Sequence, residues 1–167
     1  MEFTQGVRFD SLALTPEIRR ALEKRGIEES TPVQAGCIPP MREWKDVIAK
    51  APTGTGKTFA FGIPIIEHID PAREEAQAVI LAPTRELAMQ ITDELRDLCA
   101  FLPGVRTVCL YGGAPIGRQI EQLKKKPQII VATPGRLGDH LKRRTAKLDH
   151  VDTVVLDEAD RMLDMGF

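Results

Sequence analysis

Hydrophobic residues in this chain gather in five short, continuous runs, at 46–51, 77–82, 106–111, 128–133 and 151–157. The runs are rich in β-branched residues and do not alternate with polar ones, the pattern of strands covered on both faces of a parallel sheet. Helical patterns lie between them. The clearest, over 85–101, places Leu87, Ile91, Leu95 and Leu98 on one apolar stripe. Thr15-Pro16-Glu17 predicts a helix start and Gly26 its stop. Pro64 falls inside the helix predicted after Lys57, where it removes a backbone donor and bends the helix. Strands alternating with helices predict an α/β fold: a parallel sheet flanked by helices in three layers, with right-handed crossovers. Three of the runs end in kindred turns, Ala51-Pro-Thr, Ala82-Pro-Thr and Ala132-Thr-Pro, and an acidic cluster follows Leu156. Ligands of open parallel sheets bind at the carboxyl ends of strands, so these segments define one candidate rim.

Composition narrows the classes without choosing among them. The chain has 167 residues, 43% hydrophobic and 28% charged, which suits a globular domain with a proper core. A net charge of −1 provides no global attraction to nucleic acid, so any such contact must come from local groups. Cys37, Cys99 and Cys109 lack metal-ligand spacing and read as reduced core residues of a cytoplasmic protein. No run approaches the ~18 apolar residues of a membrane span, and the first ten residues, MEFTQGVRFD, lack a signal-peptide core. No low-complexity segment or Gly/Ser linker marks an internal boundary.

The segment APTGTGKT, 51–58, sits between a predicted strand and a predicted helix, the context of a phosphate loop, although Ala51 stands where the usual pattern begins with glycine. Gly54 and Gly56 allow close backbone approach, and amides from Gly54 through Thr55 to Thr58 can face phosphate oxygens at a helix N-terminus. Lys57 suits the β- and γ-phosphates and the Thr58 hydroxyl a Mg²⁺ ion. A turn that merely favours Gly and Thr is the plainer alternative. Asp157 ends the last predicted strand, where it suits Mg²⁺ through water, and Glu158 beside it can accept a proton from an attacking water. An acidic helix N-terminus favoured by the helix dipole is the alternative there.

Asp157-Glu-Ala-Asp160 followed by RMLDMGF resembles the DEAD-box ATP-dependent RNA helicases of bacterial type, and the likeness runs in order along nearly the whole chain. Gly26-Ile-Glu-Glu-Ser-Thr-Pro-Val-Gln34 resembles the family's Q motif, with Phe9 at the place of an isolated aromatic. The resemblance implies that Gln34 reads the adenine edge, that Thr31 and Phe9 help fix the loop, and that Thr53 belongs to the ATP cradle. Ile27 takes the position of an aromatic that packs on adenine, keeping apolar contact without ring stacking, and Ser30 replaces a common proline. Pro83-Thr84-Arg85, Gly112-Gly113 and Thr133-Pro134-Gly135-Arg136 resemble motif Ia, the GG element and motif Ib, which in the family bind the sugar-phosphate backbone of single-stranded RNA. Hydroxyls, glycine amides and an arginine at helix starts suit phosphate oxygens, and such contacts carry no base information. Taken alone, TPGR is also a good helix cap, and Arg85 could instead pair with Glu86 or Asp93. The clusters 124–126 and 142–144 read as solvated helix ends, and His68, His140 and His150 have no ligand partners in spacing.

The resemblance implies an ATP- and Mg²⁺-dependent enzyme that unwinds RNA or remodels ribonucleoprotein. It divides the chain into a Q-motif region, 1–34, and part of a first RecA-like domain, 35–167. The sequence stops at Phe167, before the family's Ser-Ala-Thr strand and its second RecA-like domain. The expectation is therefore the N-terminal half of a longer helicase, nearly inactive alone, with two strands deprived of their natural neighbour. The alternatives are a non-catalytic ATP- or RNA-binding adaptor, a related helicase acting on DNA, and a small-molecule P-loop kinase; the last leaves PTRELA and TPGR unexplained.

Overall fold

A computed structural model of the protein describes residues 7–51 and 56–165. These residues belong to two compact units, Met1–His68 with Glu94–Pro103, and Ile69–Asp93 with Gly104–Phe167.

The first unit is helical. Its chain enters through a bridge between Arg8 and Glu29, followed by a 3-10 turn, Phe9–Leu12. Helix α1, Pro16–Lys24, buries Ile18, Ala21 and Leu22 on one face. It starts with proline after Thr15 and stops as the sequence predicts: Gly26 turns to φ +71° and its N–H donates to the Glu23 carbonyl at 2.9 Å. Helix α2, Pro32–Arg42, packs its Val33 and Cys37 against Ala60 of helix α3, Lys57–His68. Helix α3 is buried continuously from Thr58 to Ile66 and runs on through Pro64. A Cβ at Gly62 would lie 2.8 Å from Leu95 and 3.3 Å from Leu98, so glycine there is a packing requirement. Arg42 holds Glu67 through Nε and Nη2 at 2.9 and 3.0 Å and also donates to the Leu12 carbonyl.

The second unit carries the sheet. Strand β1, Ala78–Leu81, precedes helix α4, Arg85–Leu98, whose last residues belong to the first unit. Then follow β2, Thr107–Leu110, α5, Ile116–Leu123, β3, Ile129–Ala132, α6, Pro134–Lys142, β4, Thr153–Leu156, and the short α7, Ala159–Asp164. The strands are ordered β2-β3-β1-β4 and every pair is parallel, as predicted. Leu110, Ala132, Leu81 and Leu156 lie in one register row, so the four carboxyl ends are level. Strand β3 is buried along its whole length, and Val79, Val108, Leu110 and Ile130 form a core with Leu137 and Ala146.

One predicted strand does not form. Residues 46–51 adopt no strand, and among the described residues no ladder pairs with them. Val47 and Ala51 still tuck against the α2–α3 contact, while Ile48 is 82% exposed. Strand geometry persists only where backbone groups find a neighbour, and an apolar run alone supplies none. Among the described residues strand β4 pairs only with β1, and Val154 and Leu156 on it are 62% and 55% exposed. The prediction that β-rich runs are buried on both faces thus holds for β3 and fails for β4.

Candidate functional site

In the first unit the segment 26–34 is tied to Gly56, just before α3. Thr31 and Gln34 form a capping box: the Gln34 N–H donates to Thr31 Oγ1 at 3.4 Å, and Gln34 Oε1 accepts from the Thr31 N–H at 2.9 Å. The same amide donates through Nε2 to the Gly56 carbonyl at 3.0 Å. Gln34 is buried, yet a carboxamide has two donor hydrogens and two acceptor positions. One of each remains after these bonds. Gly56 stands at φ +78°, and a Cβ there would sit 2.2 Å from Gln34 Nε2. A side chain at 56 would thus be strained by the backbone conformation and would displace the Gln34 amide.

Phe9 is buried, and its N–H donates to the Glu28 carbonyl at 3.0 Å. Ser30, which sequence reasoning noted only as a departure from proline, stitches this entry segment down. Its hydroxyl donates to the Val7 carbonyl at 2.7 Å and accepts from the Val7 N–H at 3.0 Å. Proline could make neither bond. Ile27 is partly buried, with its N–H on the Leu22 carbonyl. Lys57 opens α3 and Thr58 is buried in its first turn. Thr53, Gly54 and Thr55 lie outside the described residues.

In the second unit the level carboxyl ends of the strands bring the other predicted segments to one rim. After β1 come Pro83, Thr84 and Arg85; the Thr84 hydroxyl accepts from the Leu87 N–H at 3.2 Å and caps α4. Arg85 does not pair as the surface alternative expects. Its guanidinium lies over the Tyr111 ring, 4.8 Å from the centroid. After β2 come Gly112 and Gly113, both exposed, the second at φ +83°. After β3, Thr133 precedes Pro134 at the first turn of α6, without a capping bond from its side chain. A Cβ at Gly112 or Gly135 would meet nothing within 4 Å, so internal packing does not require glycine at either. Arg136 points inward: Nη1 donates to the Ala114 carbonyl at 3.0 Å and reaches Gln119 Oε1 at 3.3 Å, while Nε is buried without a hydrogen bond. After β4, buried Asp157 donates its N–H to the Leu81 carbonyl at 2.9 Å. Asp157 Oδ1 accepts from the Glu158 N–H at 3.0 Å. Glu158 caps α7 in the left-handed region, φ +51°, a conformation that costs a non-glycine residue about 1–3 kcal/mol and often marks functional sites.

His140, which the sequence left without a role, is fully buried. Its Nε2 lies 3.0 Å from Gln119 Oε1 and its Nδ1 2.8 Å from Thr145 Oγ1. Burial and the Arg136 and Arg143 guanidiniums push its pKa below the ordinary imidazole range, against the opposing pull of Asp139.

The Gln34 bridge to Gly56 and the rim segment Asp157-Glu158-Ala159-Asp160 point to one family, and the comparisons agree. The family model "DEAD/DEAH box helicase" matches residues 31–167. The chain belongs to the DEAD/DEAH box helicase family. It is 53% identical over 160 residues to the ATP-dependent RNA helicase CshA of Listeria monocytogenes, covering 96% of this chain and 31% of that protein. It is 54% identical over 159 residues to the DEAD-box ATP-dependent RNA helicase CshA of Geobacillus kaustophilus, covering 95% of this chain and 34% of that protein. Among solved structures, a DEAD box protein of the hyperthermophile Methanococcus jannaschii matches with a TM-score of 0.86 and 40% identity, over 95% of this chain and 43% of that one. The parallel sheet flanked by helices is therefore the family's fold. This family member spans about a third of the length of the curated relatives it matches.

Proposed function

We propose that this chain is the ATP-binding part of an ATP-dependent RNA helicase that unwinds RNA or remodels ribonucleoprotein. The observation that carries the reading is the Gln34 bridge to the Gly56 carbonyl, which leaves one donor and one acceptor on the amide. That pair matches the edge of adenine, which offers both a donor and an acceptor. The nucleotide reading thus joins base recognition to the loop that cradles phosphate, with Phe9, Ile27 and Thr31 framing the base side. Thr53 to Thr58 hold the phosphates, and Lys57 neutralises them.

Thr58 of the first unit offers a hydroxyl and Asp157 of the second a carboxylate, and each is by itself the kind of hard oxygen donor that Mg²⁺ takes. When bound, it would neutralise charge on the phosphates. Glu158 orients and deprotonates the attacking water. The rim segments Pro83–Arg85, Gly112–Gly113 and Thr133–Arg136 take the sugar-phosphate backbone of RNA. Gly112 and Gly135 favour this, since side chains there would obstruct an approaching ligand rather than any part of the protein. Residues 1–34 serve as the adenine-reading region and 35–167 as the first RecA-like domain. A second RecA-like domain of the same protein is its partner. Free, buried Cys37 and Cys99 accord with a cytoplasmic setting.

Nucleotide competition tests the carrying observation. In the full-length protein, ATP and ADP are expected to displace a fluorescent adenine nucleotide while GTP and UTP do not. Equal displacement by GTP would contradict the assignment of Gln34 and favour a helicase without base selection.

A further inference from the structure

The exposed Gly112–Gly113 turn is held by side chains on both of its flanks. The carbonyl of Tyr111, before it, accepts from Gln119 Nε2 at 2.9 Å; the carbonyl of Ala114, after it, accepts from Arg136 Nη1 at 3.0 Å. The two clamps are themselves joined, because Gln119 Oε1 receives Arg136 Nη1 at 3.3 Å and faces His140 Nε2 at 3.0 Å. Thr145 Oγ1 closes the far side of the imidazole at 2.8 Å from Nδ1. Gln119 is 4% exposed and His140 0%, so neither touches a ligand on the rim. Through Tyr111 the same amide reaches a third segment, since the Tyr111 ring carries the Arg85 guanidinium.

We infer that Gln119 is a positioning residue for RNA binding: its buried carboxamide sets the Gly112–Gly113 turn against the Thr133–Arg136 helix start and against Arg85. The inference rests on the RNA reading above and adds to it a residue that makes no contact with RNA. The chemistry requires an amide. Gln119 donates to a carbonyl on one side and accepts from a guanidinium and an imidazole on the other, which neither a carboxylate nor an apolar chain of equal length can do. Low dielectric raises the cost of leaving any of these groups unpaired. The depressed pKa of His140 fits the same picture, since a neutral ring with its one N–H on Nε2 can donate to Gln119 Oε1.

The test uses the full-length protein with Gln119→Met, which removes both functions of the amide, and Gln119→Glu, which keeps the shape and the acceptor but loses the donor to Tyr111. Affinity for a fluorescent oligouridine is measured with a non-hydrolysable ATP analogue, alongside nucleotide affinity without RNA and amide hydrogen exchange at 112–114. Both variants are expected to lose about tenfold in RNA affinity, the worth of one buried hydrogen bond. Nucleotide affinity should be unchanged and exchange at 112–114 faster. If Gln119→Met also loses nucleotide binding, Gln119→Glu, isosteric and polar, carries the comparison. Wild-type RNA affinity in both variants overturns the inference alone, as does unaltered exchange at the turn. Wild-type protein that binds nucleotide but no RNA overturns the RNA reading itself, and this inference with it.

Discussion

Replacing Glu158 by Gln is expected to leave ATP binding intact and to slow turnover in the full-length protein by about 10²- to 10⁴-fold, the range attributed to a positioned general base. The change keeps the size of the side chain and removes only its ability to take a proton. The local fold should tolerate it. Glu158 is held by its backbone, whose N–H donates to Asp157 Oδ1, and its carboxylate lies 3.6 Å from exposed Arg161, a contact of small energetic worth. Equilibrium titration with a fluorescent nucleotide and steady-state phosphate release separate the two effects. Unaltered turnover would remove Glu158 from its role and return it to the plainer reading, an acidic residue that merely favours the start of α7.

Gly56→Ala is expected to weaken nucleotide binding by at least about tenfold without unfolding the first unit. Two costs add. An L-residue at φ +78° loses roughly 1–2 kcal/mol in the left-handed region. The new Cβ also falls 2.2 Å from Gln34 Nε2, so the Gln34 amide must leave the Gly56 carbonyl. Each ~1.4 kcal/mol is a factor of ten in affinity. Because the clash falls on the end of a side chain, α1 and α2 should keep their helicity in circular dichroism. Residues in contact couple, so Gln34→Ala should cost less in the Gly56→Ala background than in the wild type. Full additivity of the two losses would show that the bridge plays no part in binding nucleotide.

The parts of this fold that are legible in the sequence are those governed by local rules. Thr15-Pro16 and Gly26 mark α1 correctly because each acts through its own backbone preference. Four apolar runs become the four strands, trimmed at their ends. Residue 77 is one such end. Gln77, the first residue of the run 77–82, still bonds Gln128 and Asp152 through its backbone, while its side chain ties down the loop at Asp70 and Arg73. The run 46–51 reads the same way as the others but forms no strand, since pairing depends on a neighbour that hydrophobicity does not encode.

Buried polar groups are the other blind spot. Gln119 and His140 sit in the core only because their partners arrive from elsewhere in the chain, Tyr111 and Arg136 for one and Thr145 for the other. No period in the sequence announces such a meeting. Gln128 shows the same thing, accepting from the Arg106 N–H at 2.8 Å and donating to the Gly104 carbonyl at 2.9 Å. Arg136 reads from TPGR as a phosphate ligand, and the sequence does not announce that its Nη1 is engaged by Ala114 and Gln119. A hint was available at Ser30, where a hydroxyl replaces the proline common at that position, and the hydroxyl turns out to bond Val7 twice.

The most direct measurement is duplex separation by the full-length protein, followed with a fluorophore and quencher on a short RNA duplex and on a DNA duplex of the same sequence. Separation of the RNA duplex with ATP and Mg²⁺, and not with GTP, is the predicted result, together with failure on DNA. Separation that proceeds equally on DNA, or without nucleotide, would contradict an ATP-driven RNA helicase.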